Sequence, residues 1–331
     1  MAACVGIIAA SITMLTLVAL PAMMKRGYDK GLATGSIIAG GSLGILIPPS
    51  IMLIIYGPVA WISVGKLFMA AFMPGFLLSG LYILYIAIRA YLQPSMAPSA
   101  ADEGRDIPFI QKTKMLFFAL GPTAILILSV MGAIYFGLAS PTEAAAVGSA
   151  VATLLTIAYG RFSWKVLKDV SIDSIKLTAM VLLIAGCSTA FVSVFLSAGG
   201  GNVVENFILS VPGGRWGSFA LVMVVCFILG MFIDWVGIIY VLVPILAPII
   251  PRLGFDPLWF AMMIIVNLQM SFLTPPFAYG IFFLKGAAAP ELKINTGDII
   301  QGVIPFIVLI AIGLLLMIAF PQIILWLPST M

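Results

Sequence analysis

The sequence predicts an all-α polytopic membrane protein built from two inverted repeats. Three observations carry this prediction: the composition, the spacing of the apolar stretches, and a pattern that recurs at a fixed distance. Of the 331 residues, 63% are hydrophobic and 8% are charged, and the mean hydropathy is +1.22. A soluble domain carries about 25% charged residues, so most of this surface must face lipid.

Apolar stretches separated by polar or turn-forming residues mark the predicted membrane segments. A helix that crosses a bilayer needs about 20 apolar residues. The stretches lie at 3–24, 31–57, 67–92, 115–139, 142–160, 177–197, 217–250, 257–284 and 299–327. The stretch 217–250 is long enough for two arms, and we interpret it as a hairpin that returns to its own side of the membrane.

Two polar segments interrupt this series. Residues 93–114 are the most hydrophilic part of the chain and are predicted to form a cytoplasmic linker. The linker separates residues 1–92, the remainder of a first repeat, from residues 115–331, the second repeat. Residues 161–176 mix Lys and Asp with apolar side chains and predict an amphipathic interfacial helix, or simply a solvated loop helix.

The basic residues predict the orientation, because cytoplasmic loops of membrane proteins are rich in Lys and Arg. If the loop at 25–30 is cytoplasmic, the cytoplasmic side holds 13 of the 16 basic residues. Lys66, Arg215 and Arg252 then lie outside. The chain is therefore predicted to be a multi-pass protein of the bacterial inner membrane.

The residue types present disfavour catalysis. The chain has no histidine and three cysteines, Cys4, Cys187 and Cys226, each in an apolar stretch. A Ser-His-Asp triad, a His-ligated metal and a haem-His site are therefore excluded. The membrane segments offer no convincing pair of catalytic carboxylates. We predict no enzyme activity, no cofactor and no nucleic-acid partner.

A pattern of Pro, Gly, aromatic, Asp and Pro-Pro recurs at an offset of 227 residues. The members of the first copy are Pro21, Gly27, Tyr28, Asp29, Pro48 and Pro49, and those of the second are Pro248, Gly254, Phe255, Asp256, Pro275 and Pro276. Five predicted crossings lie between the copies, so the copies have opposite orientation. Inverted repeats with paired Gly and Pro interruptions favour an alternating-access transporter with its site near the midplane. If the copies are equivalent, roughly 110 further residues are expected before Met1.

The double prolines are predicted to break two membrane helices. Proline lacks an N–H and clashes with the preceding turn, which frees carbonyl oxygens that protein, water or a cation must satisfy. The half-helix after each break directs its positive N-terminus inward, where an anion can bind. The alternative is a structural kink in each helix. The candidate residues at the breaks are Gly44, Ile47, Pro48, Pro49 and Ser50, with Met270, Thr274, Pro275 and Pro276.

Polar side chains near the breaks are further candidates. Asp234 lies in the middle of an apolar stretch, where a charge costs about 2.5–3.5 kcal/mol. It is therefore predicted to be a cation ligand, a proton carrier or the partner of a buried donor, or else a hydrogen-bonded carboxylate at a hairpin tip. Asn267, Gln269 and Thr274 could bind an ion or could form interhelical hydrogen bonds. Glu143, just after Ser140-Pro141, is predicted to cap a helix.

Four segments carry a resemblance to the large membrane subunit of the tripartite ATP-independent periplasmic (TRAP) transporters. They are KRGYDKGLATGSIIAGGSLGILIPPSIMLIIYG at 25–57, SPTEAAAVG at 140–148, GFDPLWFAMMIIVNLQMSFLTPPFAYGIFFLKG at 254–286 and GVIPFIVLIAIGLLLMIAFPQIILWLPS at 302–329. The similarity extends over essentially the whole chain.

The resemblance implies an ion-transporter-like elevator fold with two re-entrant hairpins and two broken helices. It also implies sodium-coupled import of organic acids, a small four-helix membrane subunit, and a periplasmic substrate-binding protein. The sodium ligands of the family then fall near Gly6 to Ser11, Gly44 to Ser50, Asp234, and Met270 to Pro276. Gly44, Ile47, Asp234 and Thr274 are the specific Na⁺ candidates. Many relatives have consecutive serines at the first tip, where this chain has Ile7 and Ile8.

We therefore expect a sodium-coupled symporter subunit that imports an organic acid, often a carboxylate such as a dicarboxylate. Two alternatives remain: a stand-alone ion-coupled organic-anion carrier, and an intramembrane enzyme. A passive channel is disfavoured by the inverted repeats. Neither the particular organic acid nor the ion stoichiometry follows from the residues.

Overall fold

The computed structural model describes residues 6–98 and 108–330, and every regular element within these ranges is helical. This confirms the all-α class. The first part contains α1 Ile8–Lys25, α2 Lys30–Ser42, α3 Ile51–Ala60 and α4 Val64–Leu92. The second part contains α5 Phe109–Tyr135, α6 Pro141–Ala158, α7 Trp164–Ser197, α8 Gly200–Leu209, α9 Gly214–Gly230, α10 Trp235–Leu246, α11 Ile249–Arg252, α12 Pro257–Ser271, α13 Tyr279–Ala287, α14 Thr296–Ala319 and α15 Gln322–Leu325.

Five of the described helices are long and apolar enough to cross a membrane on their own: α1, α4, α6, α7 and α14. The bent helix α5 would make a sixth span. The shorter apolar helices α3, α9, α10 and α12 lie on either side of the predicted breaks and in the predicted hairpin. The chain is therefore a polytopic membrane protein, as its composition predicts.

The recurring Gly-aromatic-Asp pattern forms the same local structure in both copies. Gly27 and Gly254 have φ angles of +76° and +74°, which a residue with a side chain rarely adopts. Asp29 then caps α2 by accepting a hydrogen bond from the Leu32 N–H, and Asp256 caps α12 through the Trp259 N–H, each at 2.9 Å. The pattern therefore marks a turn followed by a helix start.

Both predicted helix breaks are present. The first lies between α2 and α3 and contains a 3-10 turn at Leu43–Ile45, and the second lies between α12 and α13. Each proline pair is joined by a cis peptide bond. The proline pairs therefore interrupt the two helices at the positions that the sequence predicts.

Three of the segments predicted to be cytoplasmic meet at one end of the molecule. Lys30 Nζ donates to the Lys293 carbonyl at 2.8 Å, and the Asp29 N–H donates to the Met96 carbonyl at 2.9 Å. Elsewhere, Arg252 forms an ion pair with Glu205, and the Arg215 guanidinium lies 5.6 Å from the centre of the Phe255 ring. Lys30 and Lys293 therefore lie together, and Arg215 lies beside the turn that follows Arg252.

The predicted hairpin within 217–250 consists of α9 and α10, joined at residues 231–234. The ring of Trp216, at the start of α9, lies 5.3 Å from that of Phe255, which follows the returning arm. The start of α9 and the turn that follows α10 and α11 therefore lie next to each other. Of the predicted first hairpin, the described residues include one arm, α1, and the expected tip at Gly6 and Ile7.

Two boundaries differ from the prediction. The expected interfacial helix at 161–176 is not separate, because α7 runs unbroken for 34 residues from Trp164 to Ser197. No Pro or Gly lies between Trp164 and Gly186 to end it. Part of the predicted linker 93–114 is also helical, since α5 already begins at Phe109. The predicted capping by Glu143 is confirmed, as it forms a reciprocal capping box with Ser140.

The interior of the fold is formed by α2, α4, α12 and α14. From Trp259 to Gln269 the side chains of α12 are all buried, whereas most side chains of α7 are exposed. The helices α2 and α14 are in backbone contact, because a Cβ on Gly35 would overlap the Gly302 carbonyl and a Cβ on Gly302 would overlap that of Gly31. Glycine at these positions allows the two helices to touch.

Candidate ion and substrate site

The start of α1, which is the expected tip of the first hairpin, lies against the first helix break. Gly6 has a φ of +62°, and a Cβ there would stand 3.2 Å from the Pro49 carbonyl oxygen and 3.6 Å from the Ile51 N. A larger residue would be both strained and crowded. Ser11, also predicted as a site residue, is buried in the first turns of α1. The expected tip and the break therefore lie together, in the arrangement that the family resemblance implies.

The first break is held by Ser50. Its hydroxyl donates to the Ile45 carbonyl and accepts the Leu53 N–H at 3.5 Å, so that Ser50 caps α3 while satisfying one freed carbonyl. Ile47 packs on Gly75 of α4. Gly44 and Pro48 are buried, and Pro49 is half-buried. Among the described residues, no donor reaches the Ile47 carbonyl.

The second hairpin tip lies against the second break. A Cβ on Gly230, the last residue of α9, would stand 2.7 Å from the Cβ of Ser271, the last residue of α12. Asp234 is half-buried in this tip, where it caps α10 by accepting the Val236 N–H at 3.2 Å. Its carboxylate also interacts electrostatically with Tyr279, the first residue of α13. Asp234 therefore has the structural role considered above, as the cap of α10 in a hairpin tip that lies against the break.

The second break is more open than the first. Thr274 is half-buried, and its hydroxyl donates to the Met270 carbonyl at 2.9 Å. The Gly280 N–H donates across the break to the Phe272 carbonyl at 3.2 Å. Pro275, Pro276 and Phe277 are exposed, in contrast to the covered first break. This side of the site is therefore accessible from outside the described chain.

The side chain of Asn267 forms a hydrogen bond between two helices. Its amide donates to the Met223 carbonyl on α9 at 2.7 Å, and the side chain is 2% exposed. This is the interhelical hydrogen bond considered above as the alternative to a ligand role. Gln269 behaves in the same way, with its amide donating to the Ser42 hydroxyl at 3.0 Å.

The two break regions are in contact with each other. A Cβ on Gly280, just after the second break, would stand 2.6 Å from Ile38 of α2 and 3.3 Å from Ile12 of α1. α1, the expected arm of the first hairpin, packs on α13, and α10 of the second hairpin packs on α3. Each arm thus covers the half-helix that follows the break in the other copy.

The chemistry of the site favours oxygen ligands from the main chain. No group of three or more His, Cys, Asp or Glu side chains gathers anywhere in the described part of the chain. The breaks instead supply main-chain carbonyls and the hydroxyls of Ser50 and Thr274, and Asp234 adds one carboxylate. Unwound carbonyls and half-helix ends of this kind hold Na⁺ in broken-helix transporters, while half-helix N-termini face anionic substrate groups.

Sequence reasoning missed two features of the site. Tyr279 lies three residues after the second proline pair, and nothing in the apolar pattern marks it as a neighbour of Asp234. The pairing of Ser42 with Gln269 was also missed, although the two residues are separated by the repeat offset of 227. That offset was the available signal, because equivalent residues of two repeats can meet where the repeats cross.

Comparison with known proteins gives consistent matches along the chain. The family model described as "Tripartite ATP-independent periplasmic transporter, DctM component" matches residues 1–323. The C4-dicarboxylate TRAP transporter large permease protein DctM of Pseudomonas aeruginosa is 28% identical over 94% of this chain and 71% of its own length. The ectoine TRAP transporter large permease protein TeaC of Halomonas elongata is 30% identical over 93% and 70%. The sialic acid TRAP transporter permease protein SiaT of Haemophilus influenzae is 30% identical over 94% of this chain and 49% of its own length.

Proposed function

The chain belongs to the DctM family of TRAP transporters, as a large permease subunit of the inner membrane and not an enzyme, and we propose that it imports an organic acid by coupling it to sodium. The observation that carries the proposal is the pairing of each hairpin tip with a helix break, Gly6 with Pro49 and Gly230 with Ser271. Each pair supplies oxygen atoms for a cation beside the N-terminus of a half-helix for an anion.

In this proposal, the cation sites are formed by the first break with Gly44, Ile47 and Ser50, and by the second break with Asp234 and Thr274. The substrate carboxylate lies between the sites, facing the N-termini of α3 and α13. The first of these is capped by Ser50, and the second begins at Tyr279 with Ala278 before it. An anion near these ends is stabilised by the exposed N–H groups and the helix dipoles.

The proposed organisation is that of an elevator. Residues 1–92 and 115–331 form the two inverted repeats, with 93–114 as the cytoplasmic linker between them. The equivalent turns at Gly27 and Gly254 and the equivalent caps at Asp29 and Asp256 support the repeat. The reciprocal packing of α1 on α13 and α10 on α3 supports a unit in which both sites move together.

The proposed partners are a small four-helix membrane subunit and a periplasmic substrate-binding protein. Relatives of this chain are named as TRAP permeases for C4-dicarboxylate, sialic acid and isethionate. We extend to this chain the class of substrate, an organic acid, and the need for a binding protein. The exposed face of α5 to α7 offers room in the bilayer for the small subunit.

The test is uptake by the complete gene product, reconstituted with its small subunit and its cognate binding protein. Labelled organic acids are offered with an inward sodium gradient or with equal sodium on both sides. Uptake that needs both the gradient and the binding protein supports the proposal. Uptake that is driven by the sodium gradient without the binding protein indicates a stand-alone carrier. Uptake at the same rate with and without the sodium gradient contradicts sodium coupling.

A further inference from the structure

A buried hydrogen bond joins the two broken helices just before their breaks. Gln269 Nε2 donates to Ser42 Oγ at 3.0 Å, and neither side chain is exposed. Ser42 is the last residue of α2, and Gln269 lies two residues before the end of α12. The Ser42 hydroxyl in turn donates to the Ala39 carbonyl at 2.8 Å.

Two further polar atoms are buried here without a partner. Within the described residues, the Oε1 of Gln269 and the hydroxyl of Tyr82 accept and donate no hydrogen bond. Tyr82, on α4, is 4% exposed, and its hydroxyl approaches Ser42 without reaching hydrogen-bond geometry. Buried polar groups in native proteins are nearly always satisfied by protein or by an ordered water. Two unpaired polar atoms beside Ser42 therefore indicate that a small polar molecule binds between them.

We propose that one ordered water molecule binds between Tyr82, Gln269 and Ser42. An internal water makes about three hydrogen bonds. Here the water would donate to Gln269 Oε1 and to Ser42 Oγ, whose own hydrogen is donated to Ala39, and would accept from the Tyr82 hydroxyl. The Phe306 ring, 5.3 Å from that of Tyr82 and fully buried, closes one side. The cluster contains no carboxylate and too few oxygens to surround a sodium ion, which favours water over a cation.

The water would make Ser42, Tyr82 and Gln269 positioning residues. Through it α4 is tied to the last turns of both α2 and α12, so the spacing between the two breaks is fixed by three helices instead of two. This role rests on the proposed function, in which those breaks hold the coupling ions. The water site itself does not depend on it.

The first test compares the thermal stability of the full transporter carrying Tyr82→Phe or Tyr85→Phe. The rings of Tyr82 and Tyr85 both contact the Phe306 ring edge-on, with centroids 5.3 Å apart. Among the described residues, only the Tyr82 hydroxyl is buried without a hydrogen-bond partner. If the water is bound, Tyr82→Phe removes one of its hydrogen bonds, and we expect the Tm of this variant to be about 2–5 °C below that of Tyr85→Phe. A Tyr82→Phe protein as stable as the unmodified one, or more stable, overturns the proposal, since removing a hydroxyl with no partner costs nothing.

The second test is a high-resolution structure of the complete transporter, determined once in sodium and once in potassium. A peak within hydrogen-bond distance of Gln269 Oε1 and Tyr82 Oη in both buffers supports the water. A direct contact between these two atoms, an empty space, or a peak that requires sodium overturns it.

The positioning role has its own readout in the sodium concentration that gives half-maximal uptake. We expect Tyr82→Phe to raise this concentration several-fold and Tyr85→Phe to leave it unchanged. Equal values for the two variants overturn the positioning role. If uptake by the unmodified transporter does not depend on sodium, the proposed function is wrong. The structures in the two buffers still show whether the water is bound.

Discussion

Gly6, just before the start of α1, lies against Pro49 in the first helix break. A Cβ on Gly6 would stand 3.2 Å from the Pro49 carbonyl oxygen, and the residue has a φ of +62°. The backbone before α1 therefore lies close to the break, and a side chain at Gly6 would be both strained and crowded. In the proposed mechanism this contact closes the first cation site.

Gly6→Ala is expected to weaken sodium binding. A residue with a side chain in the left-handed region costs about 1–2 kcal/mol, and relief of that strain would move the tip away from Pro49. The sodium concentration for half-maximal uptake should rise about tenfold. Gly40→Ala is the control, because a Cβ on Gly40 of α2 would meet nothing within 4 Å. Unchanged sodium dependence in Gly6→Ala would show that the tip does not close the site.

Asp234 can be tested with two substitutions that separate its roles. Asn is as good an N-cap as Asp, whereas Ala at a cap costs about 1 kcal/mol. We expect both Asp234→Asn and Asp234→Ala to abolish sodium-coupled uptake, and only Asp234→Ala to lower thermal stability. Asp256→Asn, at the α12 cap outside the tips, should retain both properties. Normal uptake by Asp234→Asn would show that Asp234 serves only as a helix cap and does not bind the coupling ion.

Ser50→Ala is expected to impair uptake more than its loss of helix capping explains. Ser50 caps α3 and also occupies the Ile45 carbonyl inside the first break. Ser63→Ala removes a comparable cap on α4, where Ser63 accepts the Lys66 N–H at 3.5 Å outside the break. Stability and uptake measured on both variants decide the point. Equal uptake by the two would indicate that Ser50 serves only as a cap.

Gly302→Ala is expected to destabilise the protein by about 1–3 kcal/mol, the usual cost of overpacking. The added Cβ would overlap the backbone of Gly31, which cannot move without separating α2 from α14. Thermal unfolding of the purified transporter measures the effect. Gly286→Ala provides the comparison, since a Cβ on Gly286 would meet nothing within 4 Å. Matching stabilities would mean that the helices do not depend on this contact.

The breaks and turns could be predicted because single residues dictate them. Proline cannot continue a helix, so Pro48-Pro49 and Pro275-Pro276 marked both breaks, and Asp29 and Asp256 marked the helix starts that follow Gly27 and Gly254. These features depend on local chemistry, which the sequence displays directly.

Features that depend on tertiary packing could not be predicted. The exposure of Pro275, in contrast to the burial of the equivalent Pro48, depends on which elements cover each break. The continuous α7 was missed because the charged residues of 161–176 resemble an interfacial helix, although nothing there ends a helix. Contacts such as Asn267 with Met223 require the packed structure, since both helix faces are apolar.

The dependence of the initial uptake rate on sodium, measured at saturating substrate with the binding protein present, tests the central claim most directly. If each of the two breaks binds a cation, we expect the uptake rate to rise sigmoidally with sodium concentration, with a Hill coefficient above one. A rate that does not change with sodium, or a curve that saturates hyperbolically, would contradict a pair of coupled cation sites at the two tips.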